Sequence, residues 1–216
     1  MRIPQRSWHH PLRRARLRRA AIRFARHGWD VVPGACLAGE RFACDEPGCH
    51  AVTCHPDRAD WAGVAGHDVP AVRAWWRDRP RAVLLATGRA FDAIEVPAEL
   101  GRFAVGQVQG PVAVAPAGRW LFLVRPGQPL RSELQGRLNI VLHGPGSWVA
   151  APPTPLPGGR MRWEVSPEEY DWRLPDPYSV QAVLLTGLRT VVVSGMEPDQ
   201  MAPGHRGPLS ALRTAA

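Results

Sequence analysis

VRAWWRDRPRAVLLATG, residues 72–88, is the stretch on which the fold turns. Val72, Trp75 and Trp76 recur at the three- and four-residue spacing of one helix face. Asp68 ahead of them is a fitting N-cap and Pro80 a fitting stop, which predicts a helix opening at Asp68 and running through Arg79. Ala82 to Ala86 is too short an apolar run for a helix and reads as a buried strand, closed by an Ala-Thr-Gly turn at Gly88. A helix that leads straight into a strand calls for a domain in which both kinds of element pack together.

Upstream, Pro11 to His27 reads as a helix with the apolar stripe Leu17, Ala20, Ala21, Phe24 and Ala25 and a stop at Gly28. Trp29, Val31 and Val32 form a short strand ended by Pro33. Downstream, strands are expected at Ala93–Val96, Val112–Ala115, Trp120–Val124, Leu138–Leu142 and Trp148–Ala151. A last helix is expected over Tyr178–Leu188, a last strand over Thr190–Val193, and a disordered tail over 196–216. The class is α+β, one domain over 11–195 behind a basic arm of residues 1–10.

The 27 basic residues are all arginine, and nine of them precede the first acid, Asp30. The remaining eighteen face 19 acids, so the domain is close to neutral and its N-terminal segment is intensely basic. Arg13, Arg14, Arg16, Arg18, Arg19 and Arg23 on the first helix are the candidate nucleic-acid contacts, since binding of this kind is driven by phosphate neutralisation. No apolar run reaches the ~20 residues of a membrane span, and no apolar stretch follows the basic start as in a secretory signal. The expected compartment is the cytoplasm, with no membrane partner.

Residues 36–61 are rich in Cys and His and punctuated by Gly and Pro. Cys44, Cys49, Cys54 and His55 follow Cys-x4-Cys-x4-Cys-His, with Cys36 and His50 close by. Thiolates and imidazole at this density suit tetrahedral Zn²⁺, although the spacing is looser than paired Cys-x2-Cys. The alternative is a loop with reduced thiols.

Four segments together resemble the N-terminal domain of bifunctional DNA primase/polymerases, of the archaeo-eukaryotic primase superfamily. AIRFARHGWDVVP (21–33) is similar to its opening helix and strand, and VRAWWRDRPRAVLLATG to its Trp-Trp helix, strand and turn. FDAIEVP (91–97) falls where that family carries its catalytic acidic strand, and GSWVAAPPT (146–154) resembles its late strand and Pro-Pro-Thr turn. The Cys-rich stretch ending in CHPDRADW (54–61) also resembles an insertion in relatives. The resemblance implies a primase/polymerase-like fold with an RRM-like mixed or antiparallel sheet flanked by helices. It further implies DNA or nucleotides as ligands, a replication protein as a partner, and Mg²⁺ or Mn²⁺ wherever the active site is functional.

That family's activity is DNA-directed nucleotidyl transfer, which uses two metal ions held by carboxylates. Its acid-x-acid pair corresponds here to Glu95 and Pro97, so one carboxylate is retained. Its phosphate-contacting histidine corresponds to Trp120, with Arg119 adjacent as a fork of donors for a phosphate. Its third acid corresponds to Asn139 or Val141. Asp92, three positions from Glu95 along a strand, faces the opposite side. The expectation is therefore a primase/polymerase-like domain that binds DNA or nucleotide with catalysis weak or lost. The alternative is a non-catalytic scaffold that uses its Arg-rich helix to meet a partner.

Overall fold

The computed structural model describes residues 11–193 apart from Pro47 and Leu138; the expected arm (1–10) and tail (196–216) lie outside the described residues. In chain order the elements are α1 (Pro11–Arg26), β1 (Val31–Gly34), β2 (Cys36–Ala38), β3 (Arg41–Ala43), α2 (Trp61–Val64), α3 (Val69–Trp75), β4 (Ala82–Ala86), β5 (Asp92–Pro97) and α4 (Ala98–Val105). Then come β6 (Val112–Val114), β7 (Arg119–Val124), α5 (Ser132–Gln135), β8 (Val141–His143), β9 (Trp148–Ala150), β10 (Pro155–Leu156), β11 (Gly159–Arg160), β12 (Arg162–Val165) and α6 (Pro177–Val193). The class is α+β, as expected.

Two sheets carry the domain. The smaller runs β1-β4-β9 and the larger β12-β6-β7-β5-β8, and every ladder in both is antiparallel. Alternation along the strands divides the larger sheet into two faces. Ala93, Ala113, Leu121 and Leu123 point into the core shared with α1 and the smaller sheet. Ile94, Val96, Val112, Trp120 and Phe122 point the other way, into a second core closed by α4, α5 and α6.

β4 is the centre of the smaller sheet. α3, whose N-cap Asp68 accepts from the Ala71 N–H at 2.9 Å, delivers the chain to it. The helix stops at Trp75 rather than Arg79. Arg81 Nε donates to the Trp75 carbonyl (3.1 Å) and Trp76 Nε1 to the Arg81 carbonyl (2.7 Å), so the chain is turned back before another helical turn can form. Trp76 is fully buried and Trp75 only partly. Pro33 does not end β1: an edge strand tolerates proline, and the Pro33 carbonyl accepts from Asp57 N–H at 2.9 Å.

Two further expectations are corrected. Residues 36–61 hold a hairpin, β2–β3, and the first residue of α2 rather than loop alone. Thr190–Val193 is not a strand but the last turn of α6. The helical penalty of β-branched residues is only tenths of a kcal/mol each. Here Thr186 and Thr190 also donate their hydroxyls to the carbonyls four residues back, Ala182 and Thr186, at 3.1 and 3.0 Å.

Candidate functional site

Glu95 lies on β5 between β7 and β8, and its odd-numbered position puts it on the face shared with Ala93. Register decides its company. Pro97 pairs with Arg119 and Ala93 with His143, so both basic side chains flank Glu95 on the same face. Arg119 Nε donates to Glu95 Oε1 and His143 Nε2 to Oε2, each at 2.7 Å. Arg119 Nη2 also donates to the backbone carbonyl of Asn139 at 2.7 Å. Glu95 and His143 are each 1% exposed.

Burial by itself pushes the Glu95 carboxyl up. The hydrogen bond and charge of His143, followed by the charge and hydrogen bond of Arg119, outweigh it and hold the group below its ordinary value. Both carboxylate oxygens are thus committed to basic side chains, Arg119 and His143.

The other sequence-marked positions fall into place around this network. Pro97 caps α4 and offers no side-chain donor. Asn139 takes part through its carbonyl oxygen. Asp92 is turned away, as its spacing requires, and accepts from Gly127 N–H at 2.8 Å. Trp120 is a correction. It points to the opposite face of the sheet, into the core against α4, where a Cβ on Gly101 would come within 2.3 Å of its ring. It therefore does not stand on the Glu95 face; Arg119 does. A pair of divalent cations needs several hard oxygen donors held close together. Glu95, with both oxygens bonded to Arg119 and His143, Pro97 beside it and Asn139 engaged by its backbone, does not fit such a pair.

His143 escaped the sequence reading. A lone His in LHGPG carries no signal until the β5–β8 register is known. Its placement is secured from outside the strand. Thr87 Oγ1 donates to the Gly144 carbonyl at 2.6 Å, and Gly88, at φ +97°, passes so close to Pro145 that a Cβ would lie 2.4 Å from its Cα.

The Cys/His segment forms a second cluster. The ligand atoms of Cys44, Cys49 and His55 all lie within 4.8 Å of one another, a group that could hold a metal ion. His55 Nδ1 bonds the Thr53 carbonyl at 2.7 Å, which leaves Nε2 toward Cys49 Sγ at 3.5 Å. An imidazole fixed by a backbone carbonyl is the usual arrangement of a metal-binding histidine. Cys54, the fourth expected ligand, is not in the group: it is buried in the core, and burial pushes its thiol up to about 12.

The cluster is docked by charge. Asp45, next to Cys44, pairs with Arg79 and Arg81, and Arg81 also pairs with the buried Asp57, two residues after His55. Asp45 N–H donates to Asp57 Oδ1 at 3.1 Å, and Ala35 N–H to the His55 carbonyl at 2.8 Å, which holds both ends of the segment against the smaller sheet.

On α1, successive residues turn by about 100°, so Arg16, Arg19, Arg23 and Arg26 fall within an arc of roughly 80° opposite the buried stripe. Arg16, Arg18, Arg19 and Arg26 are exposed, and among the described residues they make no hydrogen bond or ion pair. Arg23 pairs with Glu168 at 2.9 Å. Arg13 and Arg14 lie on the buried side of the helix, half-buried, and their guanidinium groups donate to the Leu37 and Asp78 carbonyls.

The Glu95 network has a pH signature. A carboxyl with a depressed folded-state pKa contributes stability that is fully present above its unfolded value, about 4.3, and is lost as pH falls through the lower folded value. Glu95→Gln should cost about 3–5 kcal/mol at pH 7, because Arg119 and His143 lose a buried counter-charge. In denaturant unfolding across pH, the gap between wild type and variant should narrow below about pH 4. A gap that stays constant would show that the ionised carboxylate is not what holds the site.

No curated protein and no solved structure matches the chain. One family model does, that of the bifunctional DNA primase/polymerase N-terminal domain, over residues 21–177. The match runs from within α1 to the first residue of α6 and takes in both sheets, the Cys/His segment and the Glu95 network. On that span, more than half of its length, the chain belongs to the bifunctional DNA primase/polymerase N-terminal family.

Proposed function

We propose that this primase/polymerase-family domain binds DNA or nucleotides and that its nucleotidyl transfer is weak or lost. The observation that carries the reading is the closure of Glu95. Its two oxygens meet Arg119 and His143, where the family's chemistry requires carboxylates open to metal. Exposed arginines line one face of α1, which favours binding over catalysis. Primer-extension and de novo priming assays with Mg²⁺ and with Mn²⁺ should give no product above background. Robust wild-type synthesis that disappears in Glu95→Ala would overturn this half of the reading.

The binding half rests on the exposed ridge of α1. Arg16 to Arg26 spans about 15 Å along the helix axis, so the ridge can follow a strand of phosphates. Each phosphate neutralised contributes about 0.7 to 0.9 to the slope of log affinity against log salt. Joint replacement of Arg16, Arg19 and Arg26 by Gln should weaken oligonucleotide binding and flatten that slope by about 2 units, with folding intact because none of the three is buried. An unchanged slope would instead leave the ridge to a protein partner.

Cys44, Cys49 and His55 suit Zn²⁺ in donor type and in spacing, and a bound ion would tie the Cys/His segment to the domain through the Asp45–Arg81–Asp57 network. Purified protein should carry about one Zn²⁺ per chain. Cys49→Ser should lower both metal content and melting temperature, whereas Cys54→Ala should lower stability and leave the metal in place. Equal loss of metal in both variants would restore Cys54 as a ligand.

A further inference from the structure

The carboxylate of Asp30 belongs to no part of the Glu95 network, yet it is 4% exposed and placed by several independent contacts. Asp30 precedes β1. Because β1 and β4 run antiparallel, the start of β1 lies beside the end of β4, and the β4–β5 turn that carries Arg89 follows at once. Val31 and Gly66 exchange backbone hydrogen bonds at 2.9 and 3.2 Å, which brings His67 to the same place. Trp29 packs between Phe24 of α1 and Phe91 of the β4–β5 turn, with ring centroids 5.7 and 4.8 Å away. One apolar contact therefore fixes the end of α1, the entry to β1 and the turn.

Asp30 Oδ1 meets His67 Nδ1 at 2.7 Å, and Oδ2 meets Arg89 Nη1 at 3.1 Å. A single buried anion thus holds two basic side chains that are themselves outward: the His67 side chain is 53% exposed and the Arg89 side chain 77%. With Nδ1 committed to Asp30, Nε2 of the half-exposed His67 is left for a further partner, as are the remaining guanidinium donors of Arg89. Asp68, the acid next in sequence, is turned toward α3, where it caps Ala71. Arg26 and His27, both exposed, close α1 a few residues before Asp30 in the chain.

We propose that His67 and Arg89, oriented by Asp30, form a binding subsite for one phosphate group, separate from Glu95. The inference rests on the nucleic-acid reading above in that the phosphate belongs to a nucleic-acid strand or to a nucleotide. A guanidinium fork already held by Asp30 loses little freedom when a phosphate arrives. With the Nδ1 proton given to Asp30, His67 Nε2 donates to that phosphate in the doubly protonated imidazole and accepts from a P–OH in the neutral one. A surface ion pair formed only for stability would gain little, since exposed pairs contribute little. What distinguishes this one is that the anion is buried and the cations are not.

The test is binding of inorganic phosphate, a nucleoside triphosphate and a labelled single-stranded oligonucleotide to the full chain at low salt. Wild type is compared with His67→Asn plus Arg89→Ala, and with the Arg16, Arg19 and Arg26 variant. Asparagine keeps an N–H for Asp30 while removing the outward nitrogen. The His67/Arg89 variant should bind phosphate about ten-fold more weakly, measured at a temperature where it is still folded, because Asp30 loses a counter-charge and the unfolding midpoint should fall. A matching loss on the triphosphate alone assigns the site to nucleotides, and a loss on the oligonucleotide assigns it to a strand. Affinities within two-fold of wild type for all three probes, or a wild type that binds none of them, would overturn the subsite. Loss confined to the α1 variant for every probe would overturn it too and leave the ridge standing. Loss only in the His67/Arg89 variant would keep the subsite and remove the ridge.

Discussion

A buried carboxylate has to be neutralised, and at Glu95 that requirement organises the larger sheet. Taking an ion out of water costs several kcal/mol, and the cost is recovered only with well-placed partners on both oxygens. The partners come from the strands on either side, Arg119 from β7 and His143 from β8. A slip of either strand by one residue would turn its partner to the opposite face and leave the charge alone. Arg119 then reaches on to the Asn139 carbonyl and so draws in the connection that leads to β8. Electrostatics at one residue and the register of three strands are the same constraint.

Most of the segments that resemble the family are held together away from Glu95. Three of the four matching segments converge on β4 rather than on Glu95. β1 pairs along it, α3 and Trp76 deliver the chain to it, and the Thr87-Gly88 turn closes it. β9 pairs on its other side, and the buried Thr154 hydroxyl of the Pro-Pro-Thr turn meets both the N–H and the carbonyl of Val83 at 2.9 Å. These residues satisfy backbone groups and fill close contacts, work that does not depend on chemistry at β5. The Thr87-Gly88 turn links the two systems, since it grips the β8–β9 turn immediately after His143.

Charge is distributed according to the same division. On the buried side of α1, Arg13 and Arg14 are absorbed into carbonyl contacts, and at the Cys/His segment Arg79 and Arg81 are absorbed by Asp45 and Asp57. The ridge on α1 and the pair standing on Asp30 are among the charges that remain outward. Counting arginines overstates the surface available to an anion; the hydrogen-bond partners of each guanidinium decide it.

Local patterns were enough to read the α+β class, most element positions, the buried stripe of α1, the Asp68 cap and the opposite facing of Asp92, because each depends on spacing along one element. Cys44, Cys49 and His55 were also legible as a ligand-rich stretch. Their separation from Cys54 was not, because that depends on which thiol the core encloses. The helical end of α6, the early stop of α3 at Trp75, the inward turn of Trp120 and the presence of His143 beside Glu95 all required the assembled molecule. Each is set by a partner distant in sequence or by the face a strand turns to its neighbour. Spacing along the chain gives the period of an element, but only packing chooses which face of it meets which charge.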